Sequence, residues 1–60
     1  MTFTEKELTA LDEQLSAEQV LVKKYTSYSN YSNDTALKQK YITIADKHRA
    51  HYNKLLSYFN

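Results

Sequence analysis

An all-α fold, an antiparallel two-helix hairpin, is what this sequence predicts, and three observations predict it. Apolar residues return at every third or fourth position in both halves of the chain. Glycine and proline are absent from all 60 residues, and the one stretch rich in Tyr, Ser and Asn falls at the middle. Steps of three and four place successive side chains on one face of a helix. Without glycine or proline, tight hairpins, barrels and phosphate-cradling loops lose their usual turn residues.

Helix 1 is expected over about residues 5–30. After a short leader, Met1 to Phe3, the run Thr4-Glu5-Lys6-Glu7 reads as a capping box. In that motif the Thr4 hydroxyl accepts from the Glu7 backbone N–H while the Glu7 carboxylate reaches back to the Thr4 N–H. Phe3 and Leu8 stand where a hydrophobic staple places its two residues. Leu8, Leu11, Leu15, Glu18, Val22 and Tyr25 then make an inner seam, widened by Leu21 and Tyr28, with Asp12, Glu13, Lys23 and Lys24 mainly outside.

From Tyr25 to Asp34 the composition turns to Tyr, Ser, Asn and Thr, which compete with helical backbone bonding, so the helix is expected to fray. The turn is placed at Tyr31 to Asn33, with Asn30 or Asn33 closing the helix in the left-handed conformation and Asp34 capping helix 2. Helix 2 is expected over about residues 35–58. Its stripe runs Leu37, Tyr41, Ile44, His48, His51, Leu55, Tyr58, and Lys38, Lys40, Lys47, Arg49 and Lys54 lie on or near the outer surface. No repeat or linker divides residues 1–60, so the chain reads as a single helical-hairpin domain. A chain this short buries too little surface to be comfortable alone, and pairing two hairpins into a homodimeric four-helix bundle best buries both stripes.

The totals exclude several function classes. With no cysteine there is neither a disulfide framework nor a thiolate metal site, which leaves histidine and carboxylate as ligands. Eight basic and seven acidic residues give a net charge of +1, too weak a field to recruit nucleic acid or anionic lipid. Residues 1–33 carry −2 and residues 34–60 carry +3, as expected of two solvated faces that attract weakly. No apolar run approaches the roughly 18 residues of a membrane span, and the amino terminus lacks a secretory pattern. A soluble, intracellular protein with no membrane partner is expected.

Each stripe is interrupted by ionisable groups, Glu18 in the first and His48 with His51 in the second. Folding back around residues 32 and 33 sets Glu18 level with Lys47 and His48 and within a turn of His51. The i, i+3 spacing lets both imidazoles address one point, and Glu18 supplies a third group. Neutral imidazole and carboxylate suit zinc, iron, manganese or copper. A two-fold dimer doubles the set to two glutamates and four histidines, enough for one or two ions. The same residues also fit a hydrogen-bonded polar layer that fixes register, and at the level of sequence both readings stand.

Six tyrosines are the second notable feature. By register Tyr25, Tyr41 and Tyr58 belong to the core, whereas Tyr31 and Tyr52 are expected to be exposed and available for stacking or oxidative cross-linking.

One family resemblance is carried by Thr4-Glu5-Lys6-Glu7-Leu8 through Asp12-Glu13-Gln14-Leu15, by the Glu18 segment leading to Lys23-Lys24-Tyr25, and by His48-x-x-His51-Tyr52-x-x-Leu55. Over nearly its whole length the chain resembles the coat F-like small spore coat proteins within the ferritin-like group of helical bundles. The resemblance implies a non-enzymatic structural component of a spore coat, with other coat proteins as partners. In metal-binding ferritin-like proteins each helical pair supplies one Glu and then Glu-x-x-His. Glu18 matches the first position and His51 the histidine, while His48 stands in place of the second glutamate. That departure removes the bridging carboxylates of di-iron oxygen chemistry, so the resemblance implies structural or relict use of the site, the alternative being a metal-binding or small redox protein of the ferritin-like group that uses Glu18, His48 and His51.

Overall fold

The structure, a computed structural model, describes residues 2–59. Met1, the first residue of the expected leader, lies outside the described residues. Two helices, α1 (Glu5–Tyr31) and α2 (Thr35–Ser57), run antiparallel as a hairpin measuring 46 × 15 × 11 Å. Among the described residues there is no strand.

The start of α1 follows from its first residues. Thr4 is extended, its hydroxyl accepts from the Glu7 N–H at 3.1 Å, and its own N–H donates to Glu7 Oε1 at 2.9 Å. The Thr4 backbone N–H, and to a lesser degree the Thr4 hydroxyl, hold the Glu7 carboxyl below the usual carboxylate range. Phe3 lies half-buried with its ring against Phe59, centroids 6.2 Å apart.

The far end of α1 differs from expectation. The Tyr, Ser and Asn segment does not fray; α1 continues through it to Tyr31. Nor does any described residue take a positive φ, so neither Asn30 nor Asn33 closes the helix in the left-handed region. Helix propensity is a weak preference that packing overrides, and here Tyr25 and Tyr28 both lie against Tyr41 of α2. The Ser29 hydroxyl bonds back to the Thr26 carbonyl at 2.7 Å and stays within the helix. Extended Ser32 ends α1 instead, its N–H donating to the Tyr28 carbonyl, and its hydroxyl accepts from the Asp34 N–H at 3.3 Å. The turn is therefore Ser32 to Asp34. Asp34 caps α2 as expected, accepting from the Leu37 N–H at 2.8 Å.

Packing between the helices departs from the expected stripe in a systematic way. On α1 the inner line is Leu11, Leu15, Glu18, Val22, Tyr25 and Ser29, close to the expected seam, although Leu8 is exposed. On α2 it runs Tyr41, Ala45, His48, Tyr52, Leu55. Ala45, only 3% exposed, and Ser29, 4% exposed, line one cleft between the helices. The expected stripe is thus rotated. Leu37, His51 and Tyr58 turn out to one flank, and Tyr58, assigned to the core by register, is 41% exposed. Tyr52, expected at the surface, is half-buried and its hydroxyl accepts from Gln19 Nε2 at 3.2 Å. Lys38 is half-buried as well, whereas Lys40, Lys47, Arg49 and Lys54 are exposed.

Among the described residues only Glu18, Ser29 and Ala45 are buried, and no large side chain is fully enclosed. Full burial of a Leu or Ile contributes about 1.5–3 kcal/mol, and half-burial correspondingly less. The accessible surface of 4793 Å² exceeds by about 700 Å² the roughly 4,100 Å² that surface–mass scaling gives a monomer of this mass. Among the described residues no helix is long and apolar enough to cross a membrane.

Candidate metal centre

The seam carries one buried charge-bearing side chain at its middle. Glu18 is 5% exposed, placed at the centre of the α1 inner line by the spacing from Leu11, Leu15, Val22 and Tyr25. An unpaired carboxylate there would lose its hydration without return, so it must find donors. It finds them on both helices. His48 Nδ1 lies 2.8 Å from Glu18 Oε2, His51 Nδ1 lies 3.7 Å from the same oxygen, and Gln14 Nε2 donates to Glu18 Oε1 at 3.3 Å. No buried side-chain nitrogen or oxygen among the described residues lacks a partner.

All three residues singled out in the sequence are thus brought together, although on unequal terms. His48 faces into the seam. Its imidazole stacks on Tyr25, ring centroids 6.1 Å apart and planes at 11°, and meets the His51 ring nearly edge-on at 5.8 Å. His51 belongs to the rotated flank and its side chain is 60% exposed. Beside it a groove of about 260 Å³ opens between the helices, lined by Gln14, Glu18, His51, Lys54, Leu55 and Tyr58. Asp46, the nearest further acid on α2, points outward as expected and pairs with Arg49 at 2.7 Å.

The donor set fits a metal ion. One ligand atom from each of Glu18, His48 and His51 falls within 4.8 Å of the others. Four-coordinate zinc at bond lengths near 2.0 Å holds its ligands about 3.3 Å apart, so the separations among the three atoms exceed that spacing by about 1.5 Å at most. A ring nitrogen that donates to Glu18 must shift its proton to Nε2 before it can ligate, which couples occupancy to tautomer. Three protein ligands leave a fourth position for water or another group.

Sequence reasoning missed Gln14 at this centre. Its signal is the i, i+4 spacing to Glu18, which places an amide donor one turn from the carboxylate. The supporting ring of Tyr25, two seam positions from Glu18, was assigned only to the core.

No protein-family model, no curated protein and no solved structure matches the chain.

Proposed function

We propose that the chain is a non-enzymatic structural unit: a helical hairpin that pairs with a second copy as a four-helix bundle and holds a divalent transition ion between Glu18, His48 and His51. The observation that carries this reading is the buried Glu18 carboxylate facing two histidine Nδ1 atoms, one of them on the exposed flank. Zinc, iron and manganese are the candidate ions, and imidazole nitrogen with one carboxylate suits zinc best.

Pairing is supported by the surface left over. Leu37, His51 and Tyr58 of α2, with Gln14 and Tyr28 of α1, lie exposed beside half-buried Leu21 and Ile44, and this flank is centred on the level of Glu18 and His48. The excess surface of about 700 Å² is close to the roughly 800 Å² per partner that a standard interface removes. A two-fold pair across this flank brings two such centres into one interior.

The coat-component role implied by the coat F-like resemblance belongs to the same reading, with the hairpin pair as the brick and other coat proteins as neighbours. Its support is Tyr31, which ends α1 at 85% exposure and is free to cross-link. Metal analysis of untagged protein, combined with sedimentation, tests the whole. One ion per chain in a particle of twice 7.1 kDa is expected; a folded, ion-free monomer that ignores added zinc would refute it.

A further inference from the structure

The two oxygens of Glu18 are divided between two tasks. Oε2 faces both histidines, while Oε1 accepts from the Gln14 amide at 3.3 Å, Gln14 lining the same groove as His51. A carboxylate accepts only, so the Gln14 side chain must turn its NH₂ toward Oε1. The amide thereby competes with an ion for Oε1. We propose that Gln14 is a specificity-determining positioning residue that keeps Glu18 a one-oxygen ligand and so restricts the centre to one four-coordinate ion per chain, selecting zinc over manganese or iron. The inference rests on the metal-holding reading above and deepens it.

Coordination number separates the ions. Manganese and iron in carboxylate-rich sites draw on more oxygens, through chelating or bridging carboxylates, and take six-coordinate geometry. Zinc is satisfied by four ligands, and two nitrogens, one oxygen and a water complete that number. Glu18 with both oxygens free could chelate one ion or bridge two. The Gln14 bond to Oε1 works against both, and no second carboxylate from α2 compensates, because Asp46 faces outward on Arg49. Gln14 is itself exposed and its only described side-chain bond is the one to Glu18, so its removal leaves the seam packing in place.

Gln14→Leu tests this in protein loaded with zinc, cobalt(II) or manganese(II). The wild type should take one cobalt per chain with the intense visible absorption of four-coordination. The variant should bind zinc about 10–100-fold more weakly, as loss of an outer partner to a ligand typically does. Its zinc-to-manganese preference should narrow, and its cobalt band should weaken as coordination number rises. Melting of the ion-free variant should match the ion-free wild type, which separates positioning from folding. Wild-type zinc affinity together with an unchanged cobalt spectrum in Gln14→Leu would overturn the inference and leave the metal-holding reading intact. A wild type that takes up neither zinc nor cobalt would bring down both.

Discussion

Tyr25 lies flat against His48, their planes 11° apart, so one aromatic ring of α1 fixes the orientation of the imidazole that bonds the buried Glu18. Tyr25 also meets Tyr28 edge-on at 5.7 Å and Tyr41 at 6.1 Å. The ring, not the hydroxyl, makes these contacts. Tyr25→Phe should therefore leave stability nearly unchanged, while Tyr25→Leu should lose about 0.5–1.5 kcal/mol of aromatic packing. Urea denaturation of the two variants checks this; equal losses would place the contribution in the hydroxyl.

The polar layer and the metal centre separate cleanly in a double substitution. Replacing His48 and His51 by leucine should lower ion-free stability, since it leaves the Glu18 carboxylate buried without its imidazole partners. In the same variant any rise in melting temperature on adding zinc should vanish, because an ion stabilises only the state that binds it. Chelator should lower the melting point of the wild type and not that of the variant. A wild type indifferent to chelator contradicts the metal centre.

Ala45 is the most buried residue of the seam at 3% exposure. Ala45→Leu should cost about 1–3 kcal/mol through overpacking. Lys47→Leu, on the exposed side of α2, serves as the control and should change little. Thermal melts that rank the two the other way would show that the seam lies elsewhere.

Association should respond to a charge placed on the open flank. Ile44→Glu is expected to weaken pairing at least tenfold, as read by sedimentation across a concentration series. Val20→Glu, on the opposite side of α1 and already 63% exposed, should leave the particle mass alone. Equal effects would move the interface off the flank.

Acid should loosen the start of α1. The folded-state pKa of Glu7 is depressed, so its contribution is fully present above the ordinary glutamate range and fades as pH falls through the depressed value. The stability difference between wild type and Glu7→Gln should accordingly be measurable near about pH 7 and disappear near about pH 2. A difference that persists in acid would assign it to side-chain shape.

Legibility in the sequence followed locality. Thr4 with Glu7, and Asp34 with Leu37, are bonds across three residues, and residue type alone announces them. The pairing of Glu18 with His48 needed only the position of the turn, because antiparallel helices of equal rise are level by reflection about it. Rotation about the α2 axis was another matter. The stripe from Leu37 to Tyr58 marks apolar character, yet a face three positions wide does not say which edge meets the neighbour. Ala45 is the residue of α2 buried in the seam, and a small residue carries little weight in a pattern read from large apolar ones. The stripe's outer edge then includes His51 and Tyr58, which is why one expected ligand is half-buried against Glu18 while the other is mostly exposed. At the end of α1, reasoning from propensity failed for the opposite reason: contacts of Tyr25 and Tyr28 across the seam hold helical a segment that would unwind by itself.

A body 11 Å across in its shortest direction is a single helix thick. Such a plank has a seam but no inside, and water reaches the flank side of His51 from bulk whenever the chain is alone. Under the proposed pairing a second copy would cover the His51 side of the centre, and affinity for an ion would depend on that cover. Diluting the protein at fixed free zinc should release the ion, and adding zinc to a dilute solution should drive chains together, each equilibrium serving as the reporter of the other.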